Sequence, residues 1–587
     1  MRDTWNLEKL YQSFEDPNFI NDFNRFQEVI KEYNDFSPKF SNYDSKKQTL
    51  IDFIKLNIEF SLLTDKLYHF ASLNQATDAT NQTAIRYITT FQMSFSELAK
   101  TETQYKKWLR DFPNIDETID SDPLLKEHRF HLHEIIQNAK YMLDEKTEIL
   151  ISKLRQSGSS SWGRLQSLLT STLAVTYEGK EITLSEVRNL AYHHDAETRK
   201  KAYEAELAAY KSIDKSLAFA LNGIKGEVNT ISEFRGYLSP LDQALVQSRM
   251  QSSTLDAMLQ VMTEYLPIFR QYLKRKAELL GHQNGLPFYD LFAPVGNITT
   301  TYSIEEANQY ILKNFKTFNS RLFNMADKAF KEGWVDYSPK KGKVGGAFCA
   351  NIVSIKESRV LTNFTGAFGD IITLAHELGH AYHGEAIFKE SPLNSDYTMP
   401  VAETASTFCE TIVNKAALKD AKDEEEKIYL LESSIQDYTQ VIVDIMSRFI
   451  FERSVFEGRK KTVFDENELK TLMLDAQKQT YGDGLDQDYL HPYMWACKGH
   501  YYSGGLSYYN FPYAFGLLFA KGLYARYLQD KQAFVNIYDD LLAATGQMTV
   551  ENVAKLANID VTKPEFWKGS LEIIKEDIDL FLKLTEK

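Results

Sequence analysis

Helix breakers are scarce along this chain: 27 glycines and 14 prolines occur among its 587 residues. Both counts fall well below the average usage of about 7% glycine and 5% proline. These two residues are the ones that most disfavour a helix interior. With 43% hydrophobic and 25% charged residues, the chain can also bury a large core. We therefore predict a mostly α-helical globular protein, and collagen-like and low-complexity classes are excluded.

The overall charge limits the classes of binding partner. The formal net charge is −14, and a nucleic-acid-binding protein would need a basic surface instead. No stretch approaches the roughly 18 uninterrupted apolar residues of a membrane span, and the best candidate, residues 511–520, ends at Lys521. We expect neither a nucleic-acid partner nor a membrane partner.

Cysteine usage and the N-terminus indicate a compartment. Cys349, Cys409 and Cys497 lie far apart and lack the paired spacing of a zinc knuckle or a redox motif. The first residues carry charges among scattered apolar side chains, without the continuous apolar segment of a secretory signal. We predict reduced thiols and a cytoplasmic protein.

Local patterns predict three further pieces of structure. Helical spacing of apolar residues over 49–107 indicates a helical hairpin. Short β-type runs on either side of residues 178–180 indicate a small β-hairpin. Residues 339–368 combine a glycine- and lysine-rich turn with short β-type runs, which predicts a small sheet.

The strongest chemical signal follows that sheet as His376-Glu377-Leu378-Gly379-His380. Histidines four residues apart share one helix face, so both imidazoles can reach one metal ion. The glutamate between them can act on a metal-bound water. Composition alone would produce about 0.03 such matches in a chain of this length. Asp370 is predicted to be the N-cap of the helix that carries the motif.

A catalytic zinc site uses three protein ligands and one open position, so a third ligand is needed. Glu403 lies 23 residues after His380, in the first turn of a helix that we expect Pro400 to start. It is the predicted third ligand, although an acidic residue at a helix N-terminus can also be purely structural. His383 is more easily explained by packing. The metzincin pattern is absent, because its last histidine position holds Ala386.

Glu410 lies two turns beyond Glu403 on the same helix face. That position suits a carboxylate that holds a ligand histidine through its second ring nitrogen. An ordinary structural ion pair is an equally good interpretation of Glu410.

Residues 373–383, followed by residues 403–410, resemble the oligoendopeptidase F branch of the M3 zinc metallopeptidases, which are related to thimet oligopeptidase. Weaker similarity is seen at residues 4–11 and 157–168. The resemblance implies a two-lobed helical shell around a deep substrate channel, with a small β-sheet beside the zinc site. It also implies one Zn²⁺ per chain and short peptides as substrates.

The resemblance gives a role to the segment 499–513. In the family, a histidine and tyrosines from such a segment face the substrate, which here implies His500 and Tyr513, with Tyr509 as the second choice, as stabilisers of the oxyanion. Without the resemblance, such an aromatic run is more often core packing. The family counterpart of residues 343–348 is a strand edge that pairs with the substrate backbone, whereas an ordinary surface turn explains these residues equally well.

The predicted function is a zinc-dependent endopeptidase that hydrolyses internal bonds of short peptides. His376, His380 and Glu403 are the predicted zinc ligands, and Glu377 is the general base that activates a zinc-bound water. Two alternatives stay open. The first is a carboxydipeptidase-like zinc peptidase, and the second is a noncatalytic protein that binds peptide or metal.

The chain length favours about four domain-sized units at roughly 150 residues each. The serine-rich residues 156–161 have the composition of a loop and indicate one boundary or hinge. We predict two units, an N-terminal helical lobe over residues 1–185 and a catalytic zinc metallopeptidase domain over residues 186–587.

Overall fold

The protein is almost entirely helical. The computed structural model describes residues 2–296 and 300–586. The first helices of this part of the chain are α1 (Pro17–Asp35), α2 (Lys46–Thr77), α3 (Gln82–Arg110), α4 (Ile115–Asp120), α5 (Pro123–Glu127), α6 (Arg129–Ala139), α7 (Glu145–Ser157), α8 (Ser159–Ser171), α9 (Leu184–Asn189), α10 (Ala196–Tyr210), α11 (Asp214–Arg235), α12 (Pro240–Gln247) and α13 (Ser252–Leu279).

The remaining helices follow in the second half of the chain. They are α14 (Ile304–Phe318), α15 (Ser320–Glu332), α16 (Phe368–Ile387), α17 (Met399–Ala402), α18 (Thr404–Asp420), α19 (Glu424–Thr439), α20 (Ile445–Arg459), α21 (Glu466–Tyr481), α22 (Phe511–Gln529), α23 (Lys531–Ala544), α24 (Val550–Leu556) and α25 (Pro564–Thr585). Residues Gln440–Asp444, between α19 and α20, form a π-helical turn. None of the described helices is long and apolar enough to span a bilayer.

Two small sheets complete the fold. Strands β1 (Ala174–Tyr177) and β2 (Lys180–Thr183) form an antiparallel hairpin. Strands β3 (Val335–Asp336), β4 (Phe348–Ile352) and β5 (Glu357–Leu361) form a three-stranded sheet in the order β3-β5-β4. These elements confirm the predicted mostly α-helical class, the helical hairpin α2–α3 and both predicted β regions.

The three-stranded sheet lies between two hydrophobic cores. One core contains side chains from Trp5 to Leu132 together with Leu361, and the other contains Val360 and side chains from Leu173 to Phe581. Val360 and Leu361 are neighbours in β5, and successive strand residues point to opposite faces. The sheet therefore joins the two cores. The proposed division at residue 185 stays a prediction.

Two local predictions were wrong. Residues 156–161 form no extended loop, because α7 ends at Ser157 and α8 begins at Ser159. A side-chain carboxylate explains the sharp break: Glu227 accepts hydrogen bonds from the Ser159 backbone N–H at 2.8 Å and from its hydroxyl at 2.6 Å. A Cβ on Gly158 would lie 2.4 Å from Glu227 Oε2, so a larger residue there would have to displace the Glu227 side chain.

The start of the motif helix also differs from the prediction. Helix α16 begins at Phe368, with Ala367 at the N-cap. Asp370 lies inside the first turn, and its Oδ2 accepts hydrogen bonds from the backbone N–H groups of Thr365 (2.7 Å) and Gly366 (3.0 Å). The aspartate therefore satisfies the free N–H groups before the helix from a position within it.

Close backbone contacts bring α16 and α22 to α17 and α18. A Cβ on Gly379 of α16 would lie 2.5 Å from Ser406 Cα, and a Cβ on Gly516 of α22 would lie 2.8 Å from Glu403 Cβ. Real side chains cannot approach so closely, so these two glycines permit the crossing. Strand β4 lies on the other side of α16, where the Asn351 amide donates to the His380 carbonyl oxygen at 3.1 Å.

Candidate metal centre

The fold brings the three predicted metal ligands together. The His376 and His380 Nε2 atoms are 3.1 Å apart. Glu403 Oε2 lies 3.2 Å from His376 Nε2 and 3.5 Å from His380 Nε2. The histidines come from one face of α16, whereas Glu403 lies at the junction of α17 and α18. Among the described residues, these three form a cluster that could hold a metal ion.

The spacing of the three donor atoms fits a zinc ion. Zinc–ligand bonds of about 2.0–2.1 Å with tetrahedral angles place two ligand atoms roughly 3.3 Å apart. The three distances, 3.1, 3.2 and 3.5 Å, bracket that value. Two imidazoles and one carboxylate are also a donor set of catalytic zinc sites.

Two further side chains orient these donors. Glu410 Oε1 is hydrogen-bonded to His376 Nδ1, so the other ring nitrogen of His376 faces His380 and Glu403. The buried Ser406 hydroxyl donates to Glu403 Oε2 at 2.9 Å. Such contacts fix the ring and carboxylate orientations that a metal requires. The carboxylate contact predicted for Glu410 is therefore present in the structure, and its effect on metal binding stays a prediction.

The charges of the cluster stabilise a cation. Burial alone would lower the pKa of His376, but hydrogen bonds with Glu403 and Glu410 outweigh burial and raise that pKa to about 11. Burial lowers the pKa of His380 to about 4, and the charge on His376 adds to this effect. Burial would raise the pKa of Glu403, yet its hydrogen bond with His376 and the histidine charges lower it to about 2. Positive charge is thus favoured between the two carboxylates.

Glu377 lies beside this cluster at the wall of a cavity. Its side chain is almost fully buried and makes no hydrogen bond to another described residue. Burial raises its pKa to about 7; the charge on His376 opposes that rise, and the charges on Glu403 and Glu410 add to it. The cavity has a volume of about 570 Å³, and His376, Glu377 and Glu410 are among its lining residues. A small molecule in the cavity can therefore reach Glu377.

His383 is directed away from the cluster, as the packing interpretation predicts. Its ring is fully buried, its Nε2 atom lies 2.8 Å from the Thr545 hydroxyl oxygen, and it stacks on Tyr397 with ring centroids 4.2 Å apart. Burial lowers its pKa to about 3. His383 is therefore a neutral core residue.

The tyrosines of segment 499–513 differ in burial. Tyr501, Tyr502 and Tyr508 are buried, as the packing interpretation expects, whereas Tyr509 and Tyr513 are partly exposed. The Tyr509 and Tyr513 hydroxyls are hydrogen-bonded to each other.

Tyr513 and His500 are connected to the cluster through packing. Tyr513 lies three residues before Gly516, which packs against Glu403, so both share the helix face directed at the metal ligands. The His500 ring lies 5.6 Å from the Tyr509 ring. Burial lowers the pKa of His500 to about 3, and the charges on Arg448, Lys225 and Lys498 add to this effect. His500 is therefore neutral near pH 7.

Several residues around the centre carried no recognisable sequence motif. Asn510 donates from Nδ2 to His500 Nε2 at 2.8 Å, and its Oδ1 accepts from Arg448 at 3.4 Å. Asp437 of α19 lines the cavity beside Glu410. Asn510 directly precedes α22, and Asp437 lies on α19 among polar and apolar residues. Polar residues at such positions are common in any protein, so the sequence alone does not mark them. Their contacts with the site come from residues distant in the chain.

The fold and the donor set together define a class: a mostly helical protein with an HExxH helix and a carboxylate from the next helix, an arrangement typical of zinc hydrolases. The profile described as Peptidase family M3 matches residues 189–573, and the one described as Oligopeptidase F matches residues 104–174. The chain belongs to peptidase family M3, which confirms the resemblance seen in the sequence.

Relatives match over nearly the full chain. Oligopeptidase PepF of Bacillus subtilis (strain 168) is 24% identical over 605 residues, covering 100% of this chain and 88% of that protein. Group B oligopeptidase PepB of Streptococcus agalactiae is 23% identical, with coverages of 90% and 89%. The crystal structure of oligoendopeptidase-F from Enterococcus faecium superposes with a TM-score of 0.71 at 18% identity, covering 97% of this chain and 98% of that one. The fold is thus shared with an oligoendopeptidase.

Proposed function

We propose that this peptidase is a zinc-dependent endopeptidase that cleaves internal bonds of short peptides. The observation that carries the proposal is the convergence of His376, His380 and Glu403 within 4.8 Å of one another, next to Glu377 in a cavity. The cluster provides the zinc ligands, and Glu377 is the group positioned to move protons.

Each residue then has a distinct role. A zinc ion in this site would supply Lewis acidity toward the scissile carbonyl and toward water. Glu377 takes the proton from the attacking water and returns it to the leaving amine. His500 and Tyr513 donate hydrogen bonds to the oxygen that gains negative charge in the transition state. A neutral His500 whose Nε2 accepts from Asn510 keeps its Nδ1–H for such donation.

The depth of the centre supports short, flexible substrates. Glu377 is 6% exposed, so a peptide bond must enter the protein to reach it. A folded protein presents its backbone on a convex surface and cannot do so. We expect a compact folded protein to be cleaved far more slowly than a peptide that contains the same bond. Equal rates would contradict this part of the proposal.

The experiment that tests the mechanism is Glu377→Gln, with zinc content measured on the same samples. We expect one zinc per chain and a loss of peptide cleavage of about 10²–10⁴-fold, the range of general-base catalysis. The matched control is Glu385→Gln, two turns further along α16, where the carboxylate lies 3.8 Å from Arg321. The control should cleave normally. Substantial cleavage by Glu377→Gln would refute the mechanism, and a wild-type protein that binds zinc but cleaves nothing would favour the noncatalytic alternative.

A cationic group near His500 supports a second candidate, a carboxydipeptidase-like activity. Lys498 is half-buried, makes no ion pair with a described residue, and has a pKa that burial lowers, with the charge on Arg448 adding to the effect. Such a lysine could bind a free C-terminal carboxylate. Amidation of the peptide C-terminus separates the two activities, because an endopeptidase should be nearly indifferent to it.

We also propose that the protein acts in the cytoplasm. Cys349, Cys409 and Cys497 are all free, as expected for a reducing compartment. A fractionation experiment that found the protein outside the cytoplasm would contradict this proposal.

A further inference from the structure

The cavity beside the metal centre lies between α16, α18 and α19. One wall is α16, with Ile372, Thr373 and the catalytic pair His376 and Glu377. Another wall is α19, whose lining residues include Tyr429, Ser433 and Asp437. These three lie four residues apart and therefore share one helix face. A peptide bond held at Glu377 would place neighbouring substrate side chains against α19.

The lining of this cavity is acidic. None of the described residues that line it is lysine or arginine. His376 is already hydrogen-bonded to Glu410, and Glu377 is assigned to proton transfer. Asp437 is therefore the carboxylate in the lining that has no role in the proposed chemistry and no cation to neutralise it.

The Asp437 carboxylate is open to the cavity and unpaired. Its side chain is exposed there and makes no hydrogen bond or ion pair with a described residue. The surrounding protein raises its pKa to about 7 by burial, and the charges on Glu410 and Glu432 add to the effect. Protein atoms around the carboxylate reduce its hydration while no cation compensates its charge, so a cation that enters the cavity would gain a strong partner.

Two fully buried carboxylates of the core are paired with cations instead. Asp290 Oδ1 lies 2.7 Å from Arg199 Nε, and Glu452 Oε1 lies 2.7 Å from Lys225 Nζ. A larger cavity of about 690 Å³ between α14, α15 and the N-terminal residues is also lined by paired charges, including Lys9 and Glu332 at 3.0 Å. Those charges stabilise the fold, whereas Asp437 stays available.

The backbone next to Asp437 is also unusual. The π-helical turn Gln440–Asp444 begins three residues further on and interrupts the regular hydrogen bonding between α19 and α20. Single π-turns are found frequently at functional sites, because they change which residues face a ligand. The turn thus lies directly beside the cavity wall that carries Asp437.

We propose that Asp437 determines substrate specificity by binding a cationic group of the peptide, either an ammonium or a guanidinium group. This inference rests on the proposed peptidase function. The cation belongs to a residue close to the scissile bond, because Asp437 and Glu377 line the same cavity. It can be a lysine or arginine side chain, or the free N-terminal amino group of a short peptide.

The test uses quenched peptides that are N-acetylated and C-amidated and that carry arginine, norleucine or glutamate at each position in turn. At one position, we expect the wild-type kcat/KM for arginine to exceed that for norleucine by about tenfold or more, the range of a charge-assisted hydrogen bond. In Asp437→Asn this ratio should fall toward one, and in Asp437→Lys glutamate should become preferred. Each ratio is taken within one variant, so a change in overall rate cancels.

A second series with free N-termini identifies the source of the cation. A kcat/KM that is higher for the free peptide than for the acetylated peptide, and that loses this difference in Asp437→Asn, identifies the N-terminal amino group. An arginine preference that persists after acetylation identifies the side chain. Asp256→Asn, which removes an exposed carboxylate on α13, is the matched control and should retain the wild-type ratios. The proposal would be overturned if Asp437→Asn left both ratios at their wild-type values, the ratio of arginine to norleucine peptides and the ratio of free to acetylated peptides.

A binding measurement tests this inference separately from the proposed catalytic function. It compares the Kd values of arginine and norleucine peptides instead of their cleavage rates. Labelled arginine and norleucine peptides are titrated into Glu377→Gln protein, with and without Asp437→Asn, and their Kd values are compared by fluorescence anisotropy. A preference that is lost with Asp437 supports the inference whatever the rate of cleavage. If Asp437→Asn fails to fold, as judged by circular dichroism, Asp437→Ser takes its place.

Discussion

Helix α16 and the segment 499–513 both contribute to the proposed site, but they place their side chains in different ways. In α16, the four-residue spacing of His376 and His380 brings their Nε2 atoms to 3.1 Å through helix geometry alone. In the second segment, Tyr513 lies on α22, and α22 packs on Glu403 through Gly516. A local motif can therefore be read from spacing, whereas the aromatic residues depend on packing.

The two regions also differ in how many of their side chains belong to the proposed site. The two motif histidines and Glu377 lie together at the centre, and His383, three residues on, belongs to the core. In the aromatic segment, some tyrosines are buried in the core and others are partly exposed. Tyrosine therefore occupies two kinds of position in this segment, and the positions differ in the burial of the side chain. The predictions below test this difference, from the largest expected effect to the smallest.

The largest effect is expected on α16 itself. His380→Ala removes a proposed ligand, and we expect loss of zinc and a decrease in kcat/KM of about a thousandfold or more, since a metal supplies several kcal/mol of charge stabilisation. His383→Gln should keep one zinc per chain, because His383 bonds to Thr545 instead. Metal analysis and peptide cleavage measure both. Loss of zinc in both variants would show that the helix needs intact packing more than the donor atom.

The next largest effect concerns the two tyrosines. We expect Tyr513→Phe to lower kcat by about 10²–10³-fold with little change in KM, as for removal of an oxyanion donor. Tyr509→Phe should have a smaller effect, because Tyr509 acts through its hydrogen bond with Tyr513. Steady-state kinetics measure both variants. The opposite order of effects would assign the donor role to Tyr509.

A weaker effect is expected for the carboxylate behind His376. Glu410→Gln removes the charged acceptor at His376 Nδ1, and we expect zinc affinity to decrease by about 10–100-fold. Competition with a chromophoric chelator measures the affinity. Glu424→Gln, at the exposed first turn of α19, is the matched control. Unchanged affinity in Glu410→Gln would leave Glu410 as a purely structural partner.

The smallest effect concerns His500, which we expect to contribute no pH dependence to kcat/KM near neutral pH. Burial keeps the pKa of His500 at about 3, below its ordinary value of 6.5, so His500 becomes protonated only in strong acid and stays neutral from pH 5.5 to 8. The ratio of kcat/KM between wild type and His500→Asn should therefore be constant, within about twofold, over this range. A ratio that changes through pH 6.5 would mean that His500 titrates normally and is more exposed than the structure shows.

Much of the local structure was predictable because it depends on neighbours in the chain. The low glycine and proline content predicted helices, and the β-type runs around residues 174–183 and 339–368 predicted both sheets. Of the two errors, one concerned local structure and the other depended on a distant residue. Asp370 stabilises the helix start from within the first turn, and Ser159 begins a helix because Glu227, 68 residues away, accepts its hydrogen bonds.

The sequence by itself determined the family and the identity of the proposed donors, because a four-residue histidine spacing and a following glutamate are local patterns with few structural solutions. Only the tertiary structure decided which tyrosines of segment 499–513 are buried, that Asn510 contacts His500, and that Asp437 is left unpaired in the cavity. These properties depend on which helices cross and how closely. The way in which two helices cross depends on contacts between residues distant in the chain, such as Gly379 against Ser406. Residue spacing along the chain does not predict such contacts.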